Sequence, residues 1–369
     1  MNHRATEDQQ FMSLALRLGK RGQGKTTPNP SVGCILVKNN KIIGRGFTQP
    51  GGQPHAEVMA LSTSREDPLG ATAYVTLEPC CHQGKSPPCT QSLIQAGITR
   101  VVIATLDPNP LVSGKGLITL KENGIEVSVG CLEDQAKRHH QGFLLSMTQK
   151  RPQITLKLAM TLDGKVATST GQSKWITSVQ SRRRVHQLRA QSDAILIGSG
   201  TVIADDPTLN QRIMTTHGTP ARFILDSHLV TPLHSKIGQS IKSIQTYFFH
   251  IESVDTSRIS QWKQLGAHLI SSPCDPNTQI DLNFALKQIV QLGYSSVLCE
   301  GGPRVASSLI QNDYVDRFIS FTAGKAFGSQ ALPSIGFLSY SEVEDAPQFE
   351  LERVDTIGGD VVSYWSKLN

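Results

Sequence analysis

The sequence contains a set of residues with the types and spacing of a catalytic zinc site. His55 is followed two residues later by Glu57, and Cys80 and Cys89 come further along the chain. Two thiolates and a neutral imidazole balance the charge of Zn²⁺ and leave the fourth tetrahedral position to a water molecule, whose pKa the metal lowers towards neutrality. Glu57 is close enough to that water to carry its proton. The pattern therefore predicts a hydrolytic site that replaces an amine by oxygen.

The spacing of the two cysteines is unusual for such a site. Residues 81–88 separate Cys80 from Cys89, whereas nucleobase deaminases commonly have two residues between their cysteines. The intervening segment must fold back on itself, and Gly84 and Pro87-Pro88 favour the necessary turn. The alternatives are a structural zinc site, or no metal and two ordinary buried cysteines.

Four motifs in the first 150 residues resemble the deaminase half of the bifunctional riboflavin-biosynthesis deaminase/reductases. In the order of that family they are TPNPSVGC at 27–34, PHAEV at 54–58, TLEPC at 76–80 and DPNP at 107–110. The resemblance implies that the pyrimidine and its ribose phosphate are surrounded by Asn29, His82, Lys85, Asp107 and Asn109. Turn formation beside proline is the alternative role of the asparagines and the aspartate, and Lys85 is otherwise a solvated lysine.

The sequence departs from the family pattern at three positions. Thr48 stands where many relatives have a substrate-pocket histidine, and Thr161 replaces a serine but retains the hydroxyl. Cys81 stands where serine is common and could compete for the metal. Adjacent side chains of an extended segment point to opposite faces, so we expect Cys80 rather than Cys81 to be the ligand.

The composition is that of a two-domain globular enzyme. The chain has 369 residues, of which 38% are hydrophobic and 18% charged, and its net charge is +6. The polar segment 1–10 does not resemble a signal peptide, and no apolar run approaches membrane-spanning length. Zinc thiolates require a reducing compartment, so we expect a cytoplasmic protein. The positive charge lacks a basic run of nucleic-acid type, which favours phosphorylated small molecules as partners. We also expect a homo-oligomer that contacts neither nucleic acid nor membrane.

Helices and short strands are predicted to alternate in the first half. Thr6 and Gln9 have the spacing of a capping box, and an apolar face formed by Phe11, Leu14, Ala15 and Leu18 predicts a first helix that ends before Gly22. Strands are predicted at 33–37, 41–47, 72–77, 100–105 and 126–129, and further helices at 56–62, 89–96 and 115–122. The order indicates an α/β/α sandwich in which His55 and Cys89 lie at helix N-termini, where the helix dipole favours a thiolate.

The second half has two glycine-containing turns between a strand and a helix. Strand 194–197 runs into Gly198-Ser199-Gly200, and strand 297–300 runs into Gly301-Gly302-Pro303 before a helix at 304–311. Such glycines let backbone amides approach a phosphate, although a plain tight turn explains them equally well. Ile203 occupies the place of the third glycine of the dinucleotide fingerprint, so a Rossmann domain is not supported.

Five further segments resemble the reductase half of the same family, which has a dihydrofolate-reductase-like fold. They lie at 157–164, 173–177, 188–190, 200–207 and 225–227. The resemblance implies an NADPH site lined by Ala159, Trp175, Thr201, Asp205, Ser227, Gly302, Pro303, Arg304, Val305, Ala306, Ser307 and Ser308. It implies a substrate site formed by Ser173, Arg189, Leu209, Arg212 and Glu300. Without the resemblance, solvated surface charge would be the simpler explanation of both arginines, and the run 182–184 is either a contact to the 2′-phosphate of NADPH or a solvated helix face.

A bifunctional α/β enzyme is therefore predicted, with a zinc-dependent deaminase domain at 1–148 and an NADPH-dependent reductase domain at 151–369. The resemblance implies hydrolytic deamination of 2,5-diamino-6-ribosylamino-4(3H)-pyrimidinone 5′-phosphate. Reduction of the ribosyl side chain would then give 5-amino-6-(5-phospho-D-ribitylamino)uracil. A nucleic-acid deaminase is one alternative, but only 6% of the residues are aromatic. A non-catalytic zinc-stabilised binding protein is the other.

Overall fold

The structure is a computed structural model that describes residues 3–83, 87–110, 112–212, 219–276 and 278–368. The chain divides into two compact units, Met1–Lys150 and Arg151–Asn369. Each unit has its own sheet and its own apolar core. Within the described residues, no helix combines the length and the apolar character needed to cross a membrane.

The first unit is built from one sheet with helices on both faces. Its strands are β1 (Gly33–Lys38), β2 (Lys41–Phe47), β3 (Thr72–Val75), β4 (Arg100–Ile103) and β5 (Glu126–Val129). Its helices are α1 (His3–Gly19), α2 (Ala56–Ser62), α3 (Cys89–Gln95), α4 (Lys115–Glu122), α5 (Glu133–His139) and α6 (Gln141–Thr148). The strands are arranged in the order β2-β1-β3-β4-β5, with β1 antiparallel to both neighbours and β3, β4 and β5 parallel.

Side chains that alternate along β1 divide the core of this unit between the two faces of the sheet. Cys34 and Leu36 pack with residues of α2, α3 and α4, whereas Ile35 and Val37 pack with residues of α1 and α5. The predicted α/β/α sandwich is therefore confirmed. Because β3 and β4 are parallel neighbours, the segments that follow them leave the sheet at the same edge, and these segments carry Cys80 and Asp107.

Some predicted details of the first unit were wrong. Helix α1 begins at His3, so Thr6 lies inside the helix rather than at its N-cap. The ion pairs of Arg4 with Glu126 and of Asp8 with Arg100 hold the first two turns of α1 against the sheet, a tertiary effect that the capping pattern does not contain. Leu14 is 38% exposed, so its place on the buried face was wrong, whereas Ala15 is buried as predicted. Met12 and Leu16, which were not predicted, are buried with it, and Phe11 and Leu18 pack against the same cluster. Strands β3 and β4 end two residues earlier than predicted, and α5 and α6 were not predicted.

The second unit contains a larger sheet. The strands of this unit are β6 (Gln153–Thr161), β7 (Lys165–Ala167), β8 (Ala194–Gly198), β9 (Ala221–Leu225), β10 (Thr246–Ile251), β11 (His268–Ser272), β12 (Ser296–Cys299), β13 (Arg317–Ala323), β14 (Leu332–Pro333), β15 (Phe349–Ile357) and β16 (Asp360–Lys367). Strands β7 and β14 pair with each other in a separate two-stranded sheet. Its helices are α7 (Val179–Ala190), α8 (Ser199–Asp205), α9 (Lys236–Gln239), α10 (Thr256–Leu265), α11 (Leu282–Gln291) and α12 (Pro303–Gln311).

The order of the strands in this sheet reverses between β8 and β12. The order is β11-β10-β9-β8-β12-β6-β13-β16-β15, parallel from β11 to β13, with the β15–β16 hairpin antiparallel at one edge. The chain adds β9, β10 and β11 outwards from β8 and then returns to insert β12 between β8 and β6. Ligands of open α/β sheets bind outside the carboxyl ends of the strands where the order reverses in this way. We call the ends of β6, β8, β9 and β12, with the residues that follow them, the carboxyl edge.

Candidate active sites

The predicted zinc ligands of the first unit lie together. His55 is the N-cap residue of α2, Cys89 is the first residue of α3, and Cys80 lies in the segment after β3. Their candidate ligand atoms are all within 4.8 Å of one another. The Nδ1 atom of His55 is 3.2 Å from Sγ of Cys89 and 3.6 Å from Sγ of Cys80. We call these three residues the metal cluster.

The geometry of the metal cluster fits one tetrahedral zinc ion. With ordinary Zn–S and Zn–N bond lengths, a tetrahedral site places a sulfur and a nitrogen ligand about 3.5 Å apart. The two measured Sγ–Nδ1 distances, 3.2 and 3.6 Å, lie on either side of this value. The interaction with the Cys89 thiol lowers the pKa of Cys80 well below that of an ordinary cysteine, and the same interaction raises the pKa of Cys89. One ligand of the set is therefore already disposed to be a thiolate, the form that binds metal.

Cys81 does not belong to the group of candidate ligand atoms found within the described residues. It is half-buried, and burial raises the pKa of its thiol. The two adjacent cysteines thus have different surroundings, as expected of neighbouring side chains in an extended segment.

Glu57 lies in the first turn of α2, beside the metal cluster. The residue is only 3% exposed, and its carboxyl group lies close enough to Cys80 and His55 to feel their charges. Burial and then the negative charge of Cys80 raise the pKa of Glu57 to about 7. A carboxyl group with a pKa near neutrality can both accept and return a proton at physiological pH.

The other residues predicted to contact the deaminase substrate lie in three places. Asn29 donates from Nδ2 to the Gly52 carbonyl at 2.9 Å, and the same nitrogen is 3.4 Å from Nε2 of His55. Asp107 is buried, its pKa is raised by burial to about 6, and its Oδ1 accepts a hydrogen bond from the Asn109 backbone at 2.8 Å. His82 is exposed. Lys85 lies outside the described residues.

A cavity of about 350 Å³ opens beside the metal cluster. Its lining includes Gln53, Pro54 and Val58 together with Pro87 and the two ligand candidates His55 and Cys89. Two of the three residues of the metal cluster therefore line a space large enough for a small molecule.

Thr48, which departs from the family pattern, has a structural contact. Its hydroxyl accepts a hydrogen bond from the Val32 backbone at 3.0 Å, and its own backbone N–H donates to the Val32 carbonyl at 3.0 Å. The side chain is buried and extends the pairing of β1 with β2.

Four polar residues near this site were not found by the sequence reasoning. Thr76 accepts from the Gly33 backbone at 3.0 Å and lies 3.1 Å from Nε2 of His140, while Nε2 of His139 lies 2.7 Å from the Ser31 carbonyl. These contacts tie the end of the first unit to the segment that carries Asn29. The fourth residue, Glu78, is buried and bonds to backbone amides of the segment that follows β4. A carboxylate shortly after an apolar strand and directly before Pro-Cys was the available signal.

In the second unit the carboxyl edge brings together most of the residues predicted for NADPH. Ala159 lies near the end of β6, Thr201 in α8 after β8, Ser227 after β9, and Gly302 after β12. Gly302 is the N-cap of α12. The predicted residues that follow it in the chain form the first two turns of that helix: Pro303, Arg304, Val305, Ala306, Ser307 and Ser308. The free amides at a helix N-terminus suit a phosphate group.

Two of the glycines at this edge have a packing reason. A Cβ on Gly198 would lie 2.9 Å from Cγ2 of Val305, and a Cβ on Gly301 would lie 2.8 Å from Cβ of the same residue. Neither glycine has a positive φ. Because glycine has no side chain, α12 can approach β8 and β12 closely at these two positions. Close packing of the helix, rather than a tight turn, therefore explains the two glycines.

The segment before α7 connects residues predicted for the substrate with residues predicted for the cofactor. Ser173 donates to Oδ1 of Asp205 at 2.7 Å, and Nζ of Lys174 donates to the Asp205 carbonyl at 2.8 Å. Trp175 is 63% exposed, and the Arg182 guanidinium lies 4.3 Å from the centre of its ring. Arg182 is thus a stacking partner of Trp175, while the next arginine, Arg183, is exposed.

A buried cluster of charges lies below the carboxyl edge. Arg189 donates from Nε and Nη2 to the two oxygens of Glu300 at 2.6 and 3.0 Å, and Nζ of Lys157 is 3.7 Å from the same carboxylate. Burial raises the pKa of Glu300, but the charges of Arg189 and Lys157 outweigh it and lower this pKa overall. A phosphate that binds Arg189 must share it with Glu300.

The other two residues predicted for the reductase substrate follow α8. Leu209 is 2% exposed with a φ of +54°, and Arg212 is exposed. The backbone beside Leu209 is held by Arg222, which donates from Nη1 to the Thr208 carbonyl at 3.1 Å. Arg222 is fully buried and was not singled out from the sequence, because an arginine in a strand is ordinarily an exposed residue.

Known protein families match the two units of this chain separately. Residues 5–105 match the family model of the cytidine and deoxycytidylate deaminase zinc-binding region, and residues 152–363 match the model of the RibD C-terminal domain. The riboflavin biosynthesis protein RibD of Aquifex aeolicus is 42% identical over 98% of both chains, and that of Escherichia coli is 40% identical over 96% of this chain and 98% of the other. The chain belongs to the RibD family.

Solved structures of RibD proteins have the same fold. RibD of Acinetobacter baumannii, form 1, superposes with a TM-score of 0.89 at 37% identity, covering 99% of this chain and all of the other. A diaminohydroxyphosphoribosylaminopyrimidine deaminase/5-amino-6-(5-phosphoribosylamino)uracil reductase from Thermotoga maritima gives 0.86 at 36% identity with the same coverage.

Membership in the RibD family confirms several predictions made from the sequence. The cytidine-deaminase-like and dihydrofolate-reductase-like fold class is confirmed, as are the bifunctional deaminase and reductase activities in riboflavin biosynthesis. Zinc and NADPH as the cofactors are confirmed with them. The roles of individual site residues remain predictions.

Proposed function

We propose that this chain deaminates 2,5-diamino-6-ribosylamino-4(3H)-pyrimidinone 5′-phosphate and then reduces the deaminated product to 5-amino-6-(5-phospho-D-ribitylamino)uracil. The observation that carries the proposal is the metal cluster, whose donor atoms lie within 4.8 Å of one another beside the buried Glu57. Three ligands and one carboxylate outside the ligand set are the composition of a catalytic rather than a structural zinc site.

In the first reaction His55, Cys80 and Cys89 would hold zinc. Zinc, when bound, supplies Lewis-acid activation of water. Glu57 takes a proton from the attacking water and gives it to the leaving amine, so the ring C–N bond is exchanged for C=O and ammonia leaves. Asn29, Asp107 and Asn109 hold the pyrimidine and its ribose phosphate together with His82 and Lys85, a role supported by the family motifs.

In the second reaction the carboxyl edge would hold NADPH and the deaminated product. NADPH, when bound, supplies the hydride that converts the ribosylamino group to ribitylamino. The N-terminal turns of α12, with Ala159, Trp175, Thr201, Asp205 and Ser227, hold the cofactor. Ser173, Arg189, Leu209, Arg212 and Glu300 position the substrate so that its ribose carbon faces the nicotinamide.

The two activities are assigned to separate parts of the chain, deamination to residues 1–148 and reduction to residues 151–369. The division into two compact units supports this assignment. We further propose a cytoplasmic homo-oligomer whose partners are small phosphorylated molecules rather than nucleic acid. The thiol ligands support a reducing compartment.

One assay tests the proposal. Purified, zinc-loaded protein is given the diaminopyrimidine phosphate, first alone and then with NADPH, while ammonia release and nicotinamide absorbance are followed separately. We expect ammonia in both conditions and loss of NADPH absorbance only after deaminated product has formed. The absence of ammonia release would reject the deaminase, and unchanged absorbance with pre-deaminated product would reject the reductase.

A further inference from the structure

Glu78 is a buried carboxylate between strand β3 and the predicted zinc ligand Cys80. It is 4% exposed, and its partners among the described residues are backbone N–H groups. Oε2 accepts from Asp107 at 3.3 Å and from Gly114 at 3.1 Å, and Oε1 accepts from Leu117 at 3.2 Å. A carboxylate loses much hydration free energy on burial, and three N–H donors are the means by which it recovers part of that loss.

These three bonds hold both ends of one segment. Asp107 is the first residue of the segment that carries the predicted substrate contacts Asp107 and Asn109, whereas Gly114 is the N-cap of α4 and Leu117 lies in its first turn. Glu78 thus satisfies two of the unpaired N–H groups at the start of α4 and, with the same carboxylate, fixes the start of the segment that leads to it. Its own backbone N–H also donates to the Thr105 carbonyl at 3.0 Å.

Helix α4 packs directly on this contact. A Cβ on Gly116 would lie 2.3 Å from the Pro79 carbonyl oxygen and 3.1 Å from Oε1 of Glu78. Pro79 is followed at once by Cys80, so one short stretch of chain contacts α4, holds the Asp107 segment and carries a metal ligand. Beyond the pairing of β3 with β4, Glu78 therefore links the stretch that carries Cys80 to the Asp107 segment.

We propose that Glu78 is a positioning residue of the deaminase, which places the Asp107–Asn109 segment relative to the metal cluster through three backbone hydrogen bonds. The proposal rests on the deaminase function proposed above. Glu78 touches neither water nor substrate in this role. It acts on substrate binding through the segment that it holds.

Two variants test the proposal by different routes. Glu78→Gln keeps the size of the side chain but turns an NH₂ group towards backbone N–H donors, so at least one of the three bonds is lost. Gly116→Ala keeps the carboxylate and adds a methyl group that pushes α4 away from Pro79, although alanine itself favours a helix. Glu122→Gln, an exposed carboxylate at the end of the same helix, is the matched control.

We expect both Glu78→Gln and Gly116→Ala to raise the KM for the diaminopyrimidine phosphate at least about tenfold with a smaller change in kcat, the pattern of lost substrate binding. Zinc per chain and reductase activity on pre-deaminated product stay at the wild-type values, and Glu122→Gln has wild-type kinetics. A merely structural role would instead lower zinc content and kcat together at an unchanged KM.

An unchanged KM in either zinc-loaded variant, or loss of zinc and kcat together, overturns the proposal. If Glu78→Gln does not fold, Gly116→Ala decides the question, because its carboxylate is intact. Failure of the underlying function is recognised separately, since wild-type protein would then release no ammonia at all.

Discussion

The predicted metal ligands of the first unit converge on one point, whereas the predicted ligand-binding residues of the second unit include two separate hydrogen-bonded pairs. In the metal cluster, Nδ1 of His55 and the two Sγ atoms approach from three different elements. At the carboxyl edge, Ser173 bonds to Asp205 and Arg189 bonds to Glu300. A metal ion needs its ligands at fixed distances, so the fold must set those distances. A large organic ligand can replace hydrogen bonds between residues of its site with hydrogen bonds to itself. Until it binds, buried polar residues that pair with one another avoid the free-energy cost of unsatisfied hydrogen-bonding groups.

The largest expected effect is loss of zinc from the metal cluster. Cys80→Ser and Cys89→Ser each remove a thiolate ligand, and we expect zinc affinity to fall by more than about a hundredfold, the upper end of what loss of a second-shell partner costs. Deamination falls with it. Zinc analysis after dialysis measures the effect, and Cys81→Ser is the matched control with wild-type zinc content. Loss of zinc in Cys81→Ser alone would reverse the ligand assignment.

Glu57→Gln tests the chemistry of the first unit without changing its ligands. The amide keeps the size of the side chain but cannot carry the proton, so we expect normal zinc content and deamination slowed by at least about a hundredfold. Reductase activity stays unchanged. Glu66→Gln, an exposed carboxylate in the same unit, is the control. Ammonia release at a near-normal rate would show that Glu57 is not the proton carrier.

Substitution of two arginines of the second unit tests how much the ion pair of Arg189 with Glu300 stabilises the fold. Arg189→Ala leaves the carboxylate of Glu300 buried without its bidentate partner, and we expect the free energy of unfolding to fall by about 3 kcal/mol. Arg212 is exposed, so Arg212→Ala changes stability by less than about 0.5 kcal/mol.

The kinetics of the same arginine variants separate substrate from cofactor binding. We expect Arg212→Ala to raise the KM for the reductase substrate about tenfold through a lost charge-assisted hydrogen bond and to leave the KM for NADPH unchanged. Lys263→Ala, at an exposed lysine of α10, serves as the control. A larger effect on NADPH than on substrate would assign Arg212 to the cofactor.

The smallest effect is expected from cutting the chain between the two units. A fragment of residues 1–148 should bind zinc and release ammonia, and a fragment beginning at Lys150 should oxidise NADPH with the deaminated product, each because it has its own core. The second fragment must include Arg151, whose guanidinium pairs with the buried Asp316 at 2.8 Å. Activities measured on the separate fragments check this. A folded second fragment that never uses a nicotinamide cofactor would contradict the assignment.

Much of the local structure could be predicted because it depends on neighbouring residues. Helix α2 begins directly after His55 and α3 begins at Cys89, both as expected from the sequence. The start of α1 was not, since Arg4 and Asp8 hold its first two turns through partners about a hundred residues away. Arg222 was missed as well, because the carbonyls that satisfy it, those of Thr208 and Ile237, lie outside its own strand.

The sequence by itself determined the chemistry of this protein: the donor types of His55, Cys80 and Cys89, the non-ligand carboxylate of Glu57, and the family motifs that indicate two activities. Residue type and short spacing along the chain are local properties, so they can be recognised from the sequence before the fold is known. Only the tertiary structure decided how these residues are held. The bonds of Glu78 to the segment after β4, and of Arg189 to Glu300, join residues far apart in the chain. Such pairings depend on which strands become neighbours, and strand order is a property of the whole folded unit.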